Sequence, residues 1–246
     1  MTQADDLIRK NPFSFKLSEV VINDSVTRDA VSREVERKFL NFIKEDKHYN
    51  KYYDGIYILF KTGMRISEFC GLTLDDIDFK EHTIRVERQL QKKTKAGYYI
   101  EDPKTTSGER TLPMDEDVEE CFRRIIERRN PPDKEPVVDG ISGFLCFDMN
   151  GNIMYSLHWE HYFTHIVDKY NGIYKVQLPK ITPHICRHTY CSNMANSGIN
   201  PKTLQYLMGH SDIGVTLNTY THVSLQDVKN EVERVKSLKK PENTEV

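Results

Sequence analysis

The chain has 246 residues, 38% hydrophobic and 29% charged, which is enough for one large domain with its own core. No apolar run approaches the ~20 residues that a membrane span needs, and the opening MTQADDLIRKNPF lacks the apolar centre of a secretion signal. Net charge is −2, so a polyanionic partner would have to be met by a local basic face and not by the total. Cys70, Cys121, Cys146, Cys186 and Cys191 are odd in number, lie in apolar segments and form no CxxC pair. They read as reduced, buried thiols of a cytosolic protein.

Residues 1–24 are irregular, with a break at Asn11-Pro12, and read as a lead-in or linker. From Thr27 to Asp46 the spacing of Val31, Val35, Phe39, Phe42 and Ile43 predicts a helix. Tyr52 to Lys61 is apolar nearly all round and predicts a buried helix, broken by Thr62-Gly63; Arg65 to Cys70 then restarts a short helix ending at Gly71. His82 to Leu90 alternates as a strand does, with Ile84, Val86 and Arg88 on one face. Tyr98 to Ile100 and Arg110 to Leu112 are its expected partners in one small antiparallel sheet, with Lys104 at the mouth of the second turn.

Asp115 to Arg129 carries acid in its first turn, base in its last, an apolar stripe from Val118 to Ile126, and a stop at Asn130-Pro131-Pro132. Further helices are expected from Ser156 to Tyr170, capped by Ser156, from Thr182 to Ser197, and from Asn200-Pro201 to Gly209. A last amphipathic helix is expected over Ser224 to Lys239, with Leu225, Val228, Val232, Val235 and Leu238 on one side. There are no internal repeats. The predicted class is mainly α with a small antiparallel β-sheet (α+β).

Chemistry concentrates between Thr182 and Tyr220. Thr182 is a good N-cap and Pro183 suits the first helical position, so His184 and Arg187 project from one face near a helix's positive end. That placement suits an anion. Arg65, Lys104, His210 and Tyr220 offer further polar groups from separate elements. Phosphodiester exchange without a metal needs fixed cations on the non-bridging oxygens, a nucleophile able to form a covalent link, and an acid and a base. Arg65 and Arg187 supply the cations in this reading, Tyr220 the nucleophile, Lys104 the acid and His184 the base, with His210 as a further hydrogen-bond donor.

The ordered set TGMRISE, DPKTTSGERTL, HICRH, LMGH and NTYTHV resembles the tyrosine recombinase family over about Val26 to Val223, most closely the integrases of conjugative transposons and related phage-type integrases. One box alone carries little; the six residues in order carry the resemblance. It implies that Arg65, Arg187, His184 and His210 surround a scissile DNA phosphate, that Lys104 protonates the leaving 5′ oxygen, and that Tyr220 forms a 3′-phosphotyrosyl link. The ester retains the bond energy, so religation would need neither ATP nor metal, and no cofactor is implied. Glu68 resembles the family's acidic residue that steadies the first arginine. The implied partners are double-stranded DNA bearing recombination sites, other copies of the chain in a tetrameric synapse, and an excision factor, for a protein monomeric alone and acting in the bacterial cytoplasm on the nucleoid.

Two departures bear on this. Residues 1–24 resemble at most the tail of the family's clamp domain, so the division expected is 1–24 linker, 25–223 catalytic domain and 224–246 C-terminal helix and tail, the helix docking on its own domain or, as the resemblance implies, in trans. Spacing from His210 to Tyr220 is one residue longer than in several members, read as a loop-length difference. A truncated, non-catalytic DNA-binding or synapsis module is the alternative.

Other residues have plainer readings. His188 is rotated ~100° from Arg187 and reads as structural, and Tyr190 and Tyr206 read as core. His158, His161 and His165 share a helix face and raise a metal-dependent phosphodiesterase as a third reading, but no HExxH accompanies them, and an aromatic-histidine face is favoured. Lys92, Lys93, Lys95, Arg110, Lys180 and Lys202 are expected as DNA-backbone contacts.

Overall fold

Helix α1 (Arg33–Glu45) starts at Ser32, whose hydroxyl accepts from the Val35 amide, and buries Phe39, Leu40 and Ile43. The computed structural model describes residues 30–93, 97–102 and 108–220. Lys95, Lys104, the 1–24 lead-in and the expected 224–239 helix therefore lie outside the described residues.

A single 3₁₀ turn at Asn50–Tyr52 leads into α2 (Tyr53–Thr62), the central helix, which packs against α1, α4 (Glu116–Glu127) and α6 (Pro183–Asn196). Burial on several sides explains why its sequence is apolar nearly all round. Gly63 ends it in the left-handed conformation, φ 64°, and a Cβ there would stand 2.4 Å from the Tyr190 ring. Gly63→Ala is expected to cost about 2–4 kcal/mol, combining left-handed strain with overpacking. Urea unfolding measures this; an unchanged midpoint would refute the packing argument.

The expected strand from His82 to Leu90 is two strands in two sheets. β2 (Thr83–Val86) stops at Glu87, Arg88 turns its guanidinium onto buried Asp76, and β3 (Gln89–Lys93) then begins a separate ladder. β1 (Ile77–Asp78), β2 and β5 (Arg110–Pro113) form one antiparallel sheet, with Ile84 opposite Leu112 and Val86 opposite Arg110. β3 and β4 (Gly97–Glu101) form the other, with Leu90 opposite Ile100. The period of two buries both Leu112 and Arg110.

The short helix α3 (Ile66–Cys70) follows Gly63; after α4, capped by Asp115 on the Val118 amide, come α5 (Ser156–Ile173), which packs on α3, then α6, α7 (Pro201–Met208) and α8 (Ile213–Leu217). Tyr155, not Ser156, occupies the cap position of α5 and makes no side-chain cap bond, and the helix runs a turn beyond Tyr170. The main core includes Phe39, Phe60, Phe69, Phe122, Phe144 and Phe163, with the Phe39 and Phe163 rings stacked at 5.8 Å. A second, smaller cluster of Tyr190, Cys191, Ala195, Leu204 and Met208 fixes α7 against α6. All five cysteines are free, four of them buried and Cys146 partly so. Among the described residues no helix is long and apolar enough to cross a membrane.

Candidate active site

Three arginines from three parts of the chain converge on the C-terminal end of α7. That helix begins at Asn200, whose side chain accepts from the Lys202 amide, and ends at Gly209, φ 58°. A helix C-terminus presents carbonyls without intrahelical partners and a partial negative charge. Here three consecutive carbonyls are taken by guanidinium groups: Leu207 by Arg110 Nε at 2.8 Å, Met208 by Arg187 Nη2, and Gly209 by Arg65 Nη2 at 3.2 Å. His210 follows directly.

Arg65 stands at the N-cap of α3, and Glu68 reaches back from the third helical position to accept from its amide at 2.8 Å. The same carboxylate binds Arg65 Nη1 at 2.7 Å and, from its other side, Arg110 at 2.8 and 3.1 Å. Glu68 is 2% exposed, while the Arg65 side chain keeps 36% of its surface open. Burial opposes the Glu68 charge, but the Arg110 hydrogen bonds and charge outweigh it, helped by the charges of Arg65 and Arg187, and the carboxyl sits at about 2.

Arg187, on the second turn of α6, is 5% exposed and bridges two helix ends, donating to Gly63 O of α2 at 2.7 Å and to Met208 O of α7. Burial, then the like charge of Arg65, opposed by Glu68 and reinforced by Arg110, brings it down to about 9. It remains a cation at neutral pH. Two guanidinium groups bind the buried Glu68 carboxylate and that of Arg187 lies within its field, which leaves the cluster net positive, with an electrostatic preference for an anion.

His210 is held by two residues whose sequence context gave no sign of the role. Its Nδ1 lies 3.0 Å from the hydroxyl of fully buried Thr216 on α8, and Gln205 donates to its carbonyl at 3.0 Å. Burial first, then the charges of Arg187, Arg65, Arg110 and His188, lower its pKa to about 4. The ring is therefore neutral at pH 7, and in the tautomer in which Nδ1 accepts from Thr216 its Nε2–H is a donor.

Residues 30–227 match the family model described as the phage integrase family. The chain belongs to the phage integrase family. It is 45% identical to the transposase of transposon Tn916 from Enterococcus faecalis over 238 residues, which is 97% of this chain and 58% of that protein. The chain thus spans a little over half the length of this relative. It is 26% identical over 172 residues to the tyrosine recombinase XerD of Yersinia pestis, covering 70% of this chain and 50% of that one. Among solved structures, the Tn1549 transposon integrase in complex with circular intermediate DNA superposes with a TM-score of 0.84 at 46% identity, over 92% of this chain and 73% of that chain.

Of the residues expected from the family signature, the fold brings Arg65, Glu68, Arg187 and His210 together around one helix end. Lys104 lies outside the described residues. His184 is exposed near the start of α6, with its Nε2 3.1 Å from Nε2 of His188. His188, expected to be structural, is itself exposed and adds to the electrostatics at His210. A full turn separates the two histidines, so their rings meet although His188 and Arg187 do not share a direction. Tyr220 is half-buried against the second cluster, in a 3₁₀ turn, and its hydroxyl donates to Ile199 O at 2.7 Å instead of to the arginines. Burial, with a smaller contribution from Cys191, raises its pKa.

Other expectations need correction. Tyr206 is 52% exposed and its hydroxyl accepts from the Thr111 amide, so it ties α7 to β5 and is not core; Tyr190 is buried as expected. Arg110 has no exposed side-chain surface and cannot reach a DNA backbone. Lys92, Lys93, Lys180 and Lys202 are exposed. On α5 the His161 and His165 rings stack at 6.3 Å while His158 packs against Tyr155, giving an aromatic-histidine face; among the described residues no group of three or more metal-ligand side chains is arranged to hold an ion.

Proposed function

We propose that the chain is the catalytic part of a site-specific recombinase that integrates and excises a mobile element by transesterification of DNA, without metal or cofactor. The observation that carries this reading is the convergence of Arg65 and Arg187 on adjacent carbonyls beside a neutral His210. Each arginine spends part of its fork on a carbonyl and so is held in place before substrate arrives. A DNA phosphate seated there receives their remaining N–H groups and that of His210.

The Tyr220 phenol leaves its Ile199 carbonyl, gives its proton to His184 and attacks phosphorus. The P–O5′ bond breaks, Lys104 supplies a proton to the departing oxygen, and a 3′-phosphotyrosyl ester remains. Attack by the 5′ hydroxyl of a second strand reverses these steps. Supporting the DNA partner, the Tn1549 integrase has been solved with circular intermediate DNA and with transposon right end DNA. The proposed arrangement is a catalytic domain over residues 25–223, monomeric alone and tetrameric on DNA. The segment after Tyr220 docks on a neighbouring copy, an excision factor sets direction, and the protein acts in the bacterial cytoplasm on the nucleoid.

A nicked suicide duplex bearing the recombination site tests this in the presence of EDTA. A covalent protein–DNA adduct should form with the native chain and disappear in Tyr220→Phe. Good DNA binding with no adduct from the native chain would instead favour the alternative of a non-catalytic synapsis module. An adduct-free cleavage that survives Tyr220→Phe and stops with chelator would reject the mechanism outright.

A further inference from the structure

Arg110 is as heavily engaged as any side chain of the site, matched only by Glu68 among the described residues of the cluster, although it has no exposed side-chain surface. It makes four hydrogen bonds: Nε to Leu207 O at 2.8 Å, Nη1 to Gly108 O at 3.0 Å and to Glu68 Oε1 at 3.1 Å, and Nη2 to Glu68 Oε2 at 2.8 Å. These bonds join three separate pieces of chain: Gly108 and Arg110 lie just before and at the start of β5, Glu68 belongs to α3, and Leu207 belongs to α7. Glu68 passes the restraint to Arg65 through both the amide and the guanidinium of that residue. Arg65 in turn closes the ring by donating to Gly209 O, two residues along from Leu207.

We propose that Arg110 is a positioning residue of the reaction, a buried strut that fixes the Arg65 fork and the His210-bearing end of α7 at a set separation. The proposal rests on the reading of the site given above, and it adds a residue whose chemistry is indirect. A buried guanidinium is suited to the task because its planar fork binds a carboxylate through two parallel N–H groups while Nε takes a third direction. Lysine in its place keeps the charge but offers one point, so Glu68 and Leu207 O cannot both be held in their present geometry. The partly open Arg65 side chain then loses the fixed partner on its inner side. Displacement of a reacting or stabilising group by about 1 Å costs on the order of 10²-fold in rate.

The test compares the full native chain with Arg110→Lys, with Arg110→Met, and with the double variant Glu68→Gln/Arg110→Met, which removes both charges and so leaves neither one buried alone. Thermal melts establish which variants fold. In those that do, single-turnover cleavage of the suicide duplex at saturating DNA should fall ~10²-fold while the Kd for that duplex stays near the native value. Arg110→Lys should recover only part of the loss.

Alongside, nitrogen NMR of the DNA-free proteins follows the Arg65 guanidinium. Its N–H resonances should be resolved in the native chain and averaged by rotation in the variants. Native cleavage rates in a folded variant, or unchanged Arg65 resonances, would overturn the strut. A native chain that forms no adduct, in company with averaged Arg65 resonances in the variants, would instead fault the recombinase reading and leave the strut standing.

Discussion

Arg187→Lys should lower Tyr220-dependent cleavage by at least ~10²–10³-fold, the loss that follows removal of one fixed donor from a developing oxyanion. The physical reason lies in what the guanidinium does besides carrying charge. One nitrogen is spent on Gly63 O and another on Met208 O, at the C-terminal ends of two different helices, and both are buried. A planar fork makes those two bonds and still directs further N–H groups outward; an ammonium group has three donors on a flexible stem and cannot match the two carbonyls without turning away from the phosphate. Charge is retained in this variant, so DNA affinity should change little and the deficit should appear in the single-turnover rate. Quench-flow measurement of adduct formation at saturating duplex reads it directly. A rate within threefold of native would mean that charge alone suffices and that the bridged geometry is incidental.

The legibility of this site in the sequence follows how local each cause is. Helix ends were legible because their causes lie within a turn: Thr182-Pro183 before α6, Asp115 before α4, Asn200-Pro201 before α7 and Gly209 after it all act through adjacent backbone groups. The pairing of Arg65 with Glu68 was anticipated through the family resemblance, and the fold makes it by a three-residue spacing at a helix start.

Tertiary causes were not legible. The alternation through His82 to Leu90 says nothing of Asp76, whose buried carboxylate draws Arg88 aside and ends β2. Arg110, placed in a strand, read as a basic residue facing the DNA backbone because its partners, Glu68 and Leu207, are far off in sequence. The one available signal was its parity with Leu112, which places both on the inward face of β5. Tyr220 shows the limit from the other side. It sits between polar residues, Asn218 and Thr219 before it and Thr221 after, yet the fold sets it half-buried with its hydroxyl on Ile199 O.

Glu68→Gln should destabilise the protein by about 3–5 kcal/mol, because it leaves the buried Arg110 guanidinium without its counter-ion. The same residue makes a pH signature that separates electrostatics from packing. Its folded pKa of about 2 lies below the ordinary value of 4.5, so its contribution is full above pH 4.5 and is lost as pH falls towards 2. At about 1.4 kcal/mol per pH unit the span amounts to about 3 kcal/mol.

His210 acts in a different window. With a folded pKa of about 4 against 6.5, it withdraws stability as pH falls from 6.5 to 4, when the unfolded chain takes up a proton that the folded chain refuses. Denaturant unfolding of native protein and Glu68→Gln at pH 7, 5, 4 and 3 therefore distinguishes the two. The His210 loss is common to both proteins above pH 4, whereas the gap between them should hold from pH 7 to 5 and narrow only below 4.5. A gap that stays constant down to pH 3 would show that Glu68 holds Arg65 and Arg110 by shape alone, and that the charge at the centre of the arginine cluster contributes nothing to its stability.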